Sequence, residues 1–231
     1  MRDRMANIDM IEISLLPESE VLRHDGDGLL LCRDGLYLLA CEPGRAASFL
    51  PLMTRDLPDE RERLIVLRGE ELIAPLVDDC GFQVVMDCLH AVYPSKKVLT
   101  YSLPEGAEIR PLDDSHAEFV HANYHMVDDI DYIRERIEAG MYGAFVEGQI
   151  AGFVGTHEER PMGLLEVLPE YRRLGLAYAL EAHLINQLLA QGRTPFCQVA
   201  VVNGPSIALQ RKLGMELSTA VIHWLAHGKI R

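Results

Sequence analysis

The sequence lacks long apolar runs and is short of basic residues. No apolar segment of the 231-residue sequence approaches the roughly 18 consecutive apolar residues that a membrane span needs. The opening MRDRMANIDMIEISLL places acids among its apolar positions, so we predict no signal peptide. It contains 22 basic and 35 acidic residues, which gives a net charge of −13. Because this surface repels phosphate backbones and anionic headgroups, we expect no nucleic acid and no membrane as partner, and a cytoplasmic location.

Cysteine is also scarce. The five cysteines are odd in number, are scattered, and form no C-x-x-C pair, so we interpret them as free, buried thiols of a reducing compartment. They are Cys32, Cys41, Cys80, Cys88 and Cys197. With 48% hydrophobic and 25% charged residues, the composition is that of a globular protein with a sizeable core.

Strand and helix signals alternate in two arrays. The first contains GLLLCRDGLYLLA (a hairpin), GRAASFLPLM (helical spacing), RLIVLRG and FQVVMDCLHAVY (strands), with a short helix at EELIAPLVDDCGF. The second runs from EIRPL to ELSTAVIHWL, with helices at DSHAEFVHANYH, DIDYIRERIEAG, LGLAYALEAHLINQLLAQG and PSIALQRKLG. PSKKVLTYSLPEGAE separates them, so we predict domains over 1–105 and 106–231. The alternation predicts an α/β fold with a mixed sheet.

The two arrays share a weak internal repeat. LIVLRGEELIAPLVDDCGFQVVMDCLHAVY and CQVAVVNGPSIALQRKLGMELSTAVIHWL both run strand, helix, glycine, strand. In each, a histidine lies nine residues beyond the helix-ending glycine, from Gly81 to His90 and from Gly214 to His223. The order of elements suggests two related half-folds.

The stretch LPEYRRLGLAYAL, residues 168–180, is the first candidate site. Pro169 removes a backbone donor and ends the strand, while Gly175 permits a tight turn. The unpaired N–H groups of the helix start then meet the positive end of the helix dipole, and Arg172 and Arg173 add charge. This arrangement predicts an anion site, although the residues alone also fit an ordinary strand-to-helix corner.

A second motif, NGPSIALQRKLGM, follows one strand later. Arg172-x-x-Gly175-x-Ala177 after LLEVLPEY, with this motif downstream, resembles the GNAT superfamily of acyl-CoA-dependent N-acyltransferases over about residues 107–231. LPEYRRLGL and the length are most similar to the glycine N-acyltransferase-like branch, whose N-terminal half is a degenerate copy of the fold. The resemblance implies a GNAT-type sheet in the C-terminal half and a degenerate GNAT-like N-terminal domain.

The resemblance also implies roles for individual residues. Backbone amides of 172–177 would hold the pyrophosphate of coenzyme A, Val167 would pair with the pantetheine amides, and an amide near Leu165 would face the thioester oxygen. Asn203 and Ser206 would contact the cofactor arm or fix its loop. The implied cofactor-binding residues are Leu165, Val167, Arg172, Arg173, Leu174, Gly175, Leu176, Ala177, Asn203 and Ser206. The implied co-substrate is acetyl-CoA or another acyl-CoA.

Catalysis needs a base for an acceptor ammonium and a route for the leaving thiolate. The first candidate base is Glu166, a charged residue inside an apolar strand, which could equally face solvent or a structural arginine. Glu159 is the second choice, beside Glu158 in a loop where exposed charges are the ordinary interpretation. The frequent family tyrosine that protonates the thiolate is replaced by Gln210, whose amide is no proton donor of that kind.

Several histidines remain. His121 and His125 lie four apart near Asp128, but no third ligand has a convincing spacing, so we predict no metal. The GNAT resemblance places this helix beside the acceptor pocket, which makes His121, Tyr124 and His125 candidates for shaping it. His157 could carry a proton.

Two functions follow. The first is transfer of an acetyl or short acyl group from acyl-CoA to a primary amine of a small molecule or amino acid, by direct attack in a ternary complex. The second is a coenzyme A-binding sensor or interaction module that lost efficient chemistry. The acceptor and acyl length stay open, as does homodimer formation.

Overall fold

The structure is a computed structural model that describes residues 5–55, 57 and 63–228, and it divides into two compact units. Within the described residues, unit 1 comprises the chain as far as His90, Val199–Gly204 and the residues from Leu217 onward. Unit 2 comprises Ala91–Gln198 and Pro205–Glu216. The last third of the chain therefore contributes to both units. None of the helices in the described ranges is long and apolar enough to cross a bilayer.

The chain forms eleven strands and six α-helices within the described residues. The strands are β1 (Glu20–His24), β2 (Gly28–Arg33), β3 (Leu36–Cys41), β4 (Arg63–Leu67), β5 (Gln83–Val92), β6 (Ala107–Pro111), β7 (Tyr142–Val146), β8 (Gln149–Thr156), β9 (Met162–Val167), β10 (Phe196–Ala200) and β11 (Glu216–His227). The helices are α1 (Ile8–Ile13), α2 (Leu50–Met53), α3 (Ala117–Asn123), α4 (Ile130–Gly140), α5 (Leu176–Ala190) and α6 (Gly204–Lys212).

Unit 1 is a mixed sheet in the order β1-β2-β3-β4-β11-β5. Its first three strands form an antiparallel meander, and β3 and β4 are parallel. The last strand of the chain, β11, pairs antiparallel with β4, where His223 is the register partner of Leu67. Phe49, Phe82 and Leu225 are fully buried in its core. A strand from the C-terminal end of the sequence thus completes this unit.

Unit 2 is a mixed sheet in the order β10-β9-β8-β7-β6. Strands β6 to β9 are successively antiparallel, and β9 and β10 are parallel. Helix α5 packs against β7, β8 and β9, while α4 packs against β8. Phe153 and Leu164 from the sheet and Ile133 and Ile137 from α4 share one core. This unit positions the candidate site.

The predicted α/β class with a mixed sheet is confirmed, and so are both hairpins. Each hairpin turn has two successive residues at positive φ, which two-residue turns require: Asp34 and Gly35 in the first, Glu147 and Gly148 in the second. The predicted short helix ending at Gly81 is confirmed over 73–80, and most of it, Pro75–Asp79, has π-helical hydrogen bonding. The boundary near residue 105 stays a prediction.

Candidate functional site

Strand β9 carries a bulge at the position where the resemblance places the thioester oxygen. Phe153 pairs with Glu166 and Gly155 with Gly163, so β9 has one residue more than β8 between these pairs. Leu164 takes the extra bend with φ 48°, a conformation that is unfavourable for a residue other than glycine. A bulge removes local amides from the ladder, so the amides next to Leu164 can serve another partner.

On the side away from β8, β9 pairs with β10 at the first residue of β9. The two strands pair at one register position, Met162 with Cys197. Beyond Met162 the strand runs to Val167 and then to Pro169, where a short 3₁₀ turn, Pro169–Tyr171, ends it. The part of β9 that would pair with pantetheine therefore follows directly after the single paired position.

The predicted anion cradle follows this turn. Residues 172–175 are exposed, with Arg173 at φ 68° and Gly175 at φ 85°. Helix α5 begins at Leu176 without a side-chain cap and without an acid in its first turn. The first amides of a 15-residue helix, with the positive end of its dipole, therefore face outward beside two arginines. Binding of pyrophosphate by the amides of 172–177 stays a prediction from the resemblance.

Arg172 joins the cradle to the strand. Its Nε donates to the carbonyl of Val167 at 2.9 Å, and its Nη2 donates to Oε1 of Glu166 at 3.1 Å. The amide of Val167 also donates to that oxygen, at 3.2 Å. Glu166 is one-third exposed. The sequence left open whether Glu166 meets an arginine; it does, and both backbone groups of Val167 are engaged.

The hydroxyl oxygen of Tyr124, just beyond α3, accepts a hydrogen bond from the backbone amide of Leu164 at the bulge. Its ring packs edge-on against Phe153, with 6.5 Å between the ring centroids. Burial, with a contribution from the charge of Glu166, raises the pKa of Tyr124 to about 12. This hydroxyl keeps its proton at neutral pH and lies at the same bulge as the candidate oxyanion amide.

A second tyrosine marks the start of β9. The hydroxyl of Tyr132 on α4 lies 2.9 Å from Nδ1 of His157, which follows the end of β8. Burial, together with the charge of Arg136, lowers the pKa of His157 to about 4, so the ring is neutral at physiological pH. Burial and then the charge of Glu159 raise the pKa of Tyr132. Glu159 is half-buried in the turn between β8 and β9, close enough for its charge to act on Tyr132, and its role as a base stays a prediction.

Gly163 makes room for the His157 ring. A β-carbon at this position would lie 2.3 Å from Nε2 of His157, far inside van der Waals contact. We expect Gly163→Ala to push the ring away from Tyr132 and to lower the free energy of unfolding by about 1–2 kcal/mol. Urea unfolding checks this. Gly26→Ala, where no atom lies within 4 Å, is the control. If His157→Ala does not abolish the cost of Gly163→Ala, the clash is elsewhere.

The residues suggested for a metal pair do not form one. His121 contacts the exposed Asp128 at 3.3 Å, and His125 is exposed. The described ranges contain no group of three or more side chains that could hold a metal ion. The roles suggested for His121 and His125 in shaping the acceptor pocket stay predictions.

Residues 140–225 match the family described as FR47-like protein. No curated protein matches the sequence. Among solved structures, a GCN5-related N-acetyltransferase from Kribbella flavida is 16% identical, with a TM-score of 0.68, covering 97% of this chain and 96% of its own. A Drosophila protein is 18% identical, with a TM-score of 0.72 and coverage of 86% and 73%.

A third structure is described as a tandem GNAT protein from the clavulanic acid biosynthesis pathway, without AcCoA. It is 16% identical, has a TM-score of 0.54, and covers 96% of this chain and 87% of its own. The fold is that of the GCN5-related N-acetyltransferases. Within the GNAT fold the bulged β9 and the cradle before α5 are adjacent parts of one continuous segment.

Gln210 is not at the site surface but in the core of this GNAT fold. Its Nε2 donates to both carboxylate oxygens of Glu181 on α5, at 3.0 and 2.9 Å, and both residues are buried. Burial raises the pKa of Glu181 to about 7, against the opposing effect of the Gln210 bond. The sequence analysis missed Glu181. The signal that could have identified it is an acid within the otherwise apolar helix α5, four residues beyond Ala177.

The remaining predicted residues lie at the start of α6. Asn203 precedes the helix and its amide donates to the carbonyl of Ala200 at 2.9 Å, while Ser206 lies in the first turn. Their contact with the cofactor arm stays a prediction. Sequence reasoning also missed Tyr132 and Arg136, which share one side of α4 at a spacing of four residues.

Proposed function

We propose that the chain is an acyl-CoA-dependent N-acyltransferase that moves an acetyl or other short acyl group to a primary amine. One observation supports this most: the bulge at Leu164 leads, within one short segment, to an uncapped helix start at Leu176. A thioester needs an oxyanion donor and coenzyme A needs an anion site, and the bulge and the helix start are suited to supply them in this order. The neighbours described as N-acetyltransferases agree with this chemistry.

Each part of the proposed substrate has a partner in unit 2. The pyrophosphate of coenzyme A binds the amides of 172–177, and pantetheine pairs with the backbone of β9 at Val167. The thioester oxygen accepts from the amide near Leu165. The amine nitrogen attacks the carbonyl carbon, the carbon–sulfur bond breaks, and the coenzyme leaves as a thiol or thiolate, whose reference pKa of about 8.5 makes it a tolerable leaving group.

Coenzyme binding also changes the partners of Glu166. Pantetheine amides can pair with Val167 only after the bonds from Arg172 and Glu166 to that residue are given up. Arg172 would then turn to the pyrophosphate, and the carboxylate of Glu166 would be released to accept the proton of the amine. Glu159 stays the second candidate base.

We further propose that the two units are related copies, the first of which has lost its cofactor site. Each has a parallel strand pair after an antiparallel meander, β3 with β4 and β9 with β10. After β3 the amide of Gly44 donates to Oε1 of Glu71 at 2.8 Å. In the first copy, the carboxylate of Glu71 therefore accepts from the Gly44 amide after β3. The amides at the matching position after β9 in the second copy are the ones proposed to bind phosphate. The neighbour from the clavulanic acid biosynthesis pathway is described as a tandem GNAT protein.

The burial of Gln210 favours the second candidate, a coenzyme A sensor. The tyrosine that returns a proton to the thiolate in the resembling family is absent, and Gln210 is bound to Glu181 inside the core. Tyr124 supplies a protonated hydroxyl at the bulge, which favours the enzyme.

Thiol release from acetyl-CoA and longer acyl-CoA thioesters, measured across a panel of primary amines, distinguishes the two. The enzyme predicts amine-dependent release that saturates in both substrates. Titration of coenzyme A by calorimetry is run on the same preparation. Binding in the micromolar range without turnover on any amine would establish the sensor, and absence of binding would contradict both functions.

A further inference from the structure

The hydroxyl of Tyr124 uses only one of its two hydrogen-bonding roles. Its oxygen accepts from the backbone amide of Leu164, at the bulge of β9. Among the described residues, no group accepts the proton of this hydroxyl. A tyrosine hydroxyl can donate one hydrogen bond while it accepts another. The Tyr124 proton is therefore available to a substrate at the bulge.

Tyr132, on helix α4, shows the contrast. Its hydroxyl lies 2.9 Å from Nδ1 of His157 and also accepts from the backbone of Glu158. Two groups of the protein thus hold the Tyr132 hydroxyl at the start of β9. The Tyr124 hydroxyl has one protein partner, and that partner is the bulge itself.

The position of the Tyr124 hydroxyl matches the place that the resemblance gives to the thioester oxygen. A hydroxyl that accepts from the Leu164 amide lies about 3 Å from it. Leu165 is the next residue, with its Cα about 3.8 Å further along the chain. One oxygen atom beside the bulge can therefore reach both the Tyr124 hydroxyl and the Leu165 amide. Because Tyr124 occupies the Leu164 amide, the hydroxyl takes the place of that amide as a donor.

The Tyr124 ring is fixed before any substrate arrives. It packs edge-on against Phe153 of β8, with 6.5 Å between the ring centroids, in the core that also contains Leu164. The backbone amide of Tyr124 donates to the carbonyl of Val120 at 2.9 Å, at the end of α3. A donor that is held in place by packing needs no reorganisation during the reaction, which is what makes an oxyanion site effective.

The acidity of Tyr124 suits a hydrogen-bond donor and not a proton donor. Burial raises the pKa of Tyr124 to about 12. Proton transfer to a thiolate, whose reference pKa is about 8.5, is then unfavourable on the order of 1,000-fold. Tyr124 thus does not replace the family tyrosine that is absent at Gln210. Donation to an oxyanion needs no transfer, and the bond that the hydroxyl accepts from Leu164 polarises its O–H for donation.

We propose that Tyr124 is a catalytic residue whose hydroxyl donates to the thioester oxygen, beside the amide near Leu165. This inference rests on the proposed acyltransferase function. As the amine nitrogen attacks the carbonyl carbon, an electron pair of the C=O bond moves to the oxygen. The hydroxyl and the amide stabilise that charge, and the proton stays on Tyr124. The carbonyl re-forms when the carbon–sulfur bond breaks and its electron pair leaves with sulfur.

Tyr124→Phe removes the hydroxyl and keeps the ring. We expect kcat for thiol release to fall about 100-fold, and KM for acetyl-CoA to change by no more than about twofold. Tyr93→Phe is the matched control in unit 2, because the Tyr93 hydroxyl donates to the carbonyl of Lys97 at 2.8 Å and has no part in the proposed site. Its kcat is expected to stay that of the unsubstituted protein. An unchanged kcat in Tyr124→Phe overturns the inference and leaves the acyltransferase intact.

An infrared measurement separates donation by Tyr124 from support of the bulge. A hydrogen bond to the carbonyl oxygen lowers the C=O stretching frequency of bound acetyl-CoA, labelled at the carbonyl carbon. We expect this band at higher frequency in Tyr124→Phe than in the unsubstituted protein and Tyr93→Phe. Incorporation of m-fluorotyrosine at position 124 keeps the ring and the acceptor of the Leu164 amide, and its more acidic hydroxyl donates more strongly. Its band is expected at the lowest frequency, whereas a role in supporting the bulge alone would leave the band unshifted.

The infrared measurement needs binding of acetyl-CoA but no turnover. A band that depends on Tyr124, in a protein that acylates no amine, would uphold the contact and contradict the acyltransferase. A band that is the same with tyrosine, phenylalanine and m-fluorotyrosine at position 124 overturns the inference, whether or not amines are acylated. Absence of acetyl-CoA binding contradicts the inference and the proposed function together.

Discussion

Replacing Ala177 with glutamate is expected to weaken coenzyme A binding at least 100-fold. Ala177 is the second residue of α5, and the proposed pyrophosphate lies against the amides of that first turn. A carboxylate about 5 Å from one phosphate charge costs about 3 kcal/mol at an effective dielectric constant of 20. The same substitution places an acid at the positive end of the helix dipole, which stabilises the helix by about 0.3–1 kcal/mol. Binding and stability therefore move in opposite directions, which a misfolded variant would not show.

Calorimetric titration with coenzyme A measures the binding, and thermal unfolding of the free protein measures the stability. Ala190→Glu is the matched control, because Ala190 is the exposed last residue of the same helix. It is expected to bind coenzyme A as the unsubstituted protein does. If Ala177→Glu retains that affinity, the pyrophosphate is not held at this helix start, and the proposed function loses its cofactor site.

The cradle could be predicted because its determinants are local. A proline after an apolar strand, a glycine before a helix and a helix start without an acid can all be read from residues 168–180, and the glycine has φ 85° in the structure. The hairpins were predictable for the same reason, since Asp34-Gly35 and Glu147-Gly148 favour two successive positive φ values. Signals confined to a few consecutive residues depend little on the rest of the fold.

The pairings that join distant residues could not be predicted. Nothing in the composition of β11 indicates that it pairs with β4, more than 150 positions earlier. Pairing with a different strand would bury the same apolar face of β11. The bond between Arg172 and Glu166 depends on where the turn returns the arginine to the strand. Glu181 has an acidic side chain that an apolar helix would ordinarily expose, and only α6 supplies the amide that makes its burial tolerable.

The second large effect is expected for Glu181→Gln, as a gain in stability that grows with pH. The pKa of Glu181 is raised from 4.5 to about 7 in the folded protein, first by burial. The folded state therefore holds a proton that the unfolded state has lost between these values. Stability from this group is present below pH 4.5 and is lost as the pH rises through about 7. Glutamine does not ionise, so the stability of the variant does not fall with pH in this way.

The difference in unfolding free energy between Glu181→Gln and the unsubstituted protein is expected to rise by roughly 2–3 kcal/mol from pH 5 to pH 8. Urea unfolding at several pH values measures it. His157, with its pKa lowered to about 4, has the opposite slope below pH 6.5, but it is present in both proteins and cancels.

The structure also supplies a reason for a gain at fixed pH. The Oε1 atom of Gln210 is buried without a partner in the described chain, because Nε2 faces both oxygens of Glu181. A glutamine at 181 can donate to that Oε1 and accept from Nε2, so the pair becomes reciprocal. Glu138→Gln, an exposed position on α4, is the control and is expected to leave the pH dependence unchanged. A difference that stays flat between pH 5 and pH 8 would mean that Glu181 does not ionise in the folded core over this range.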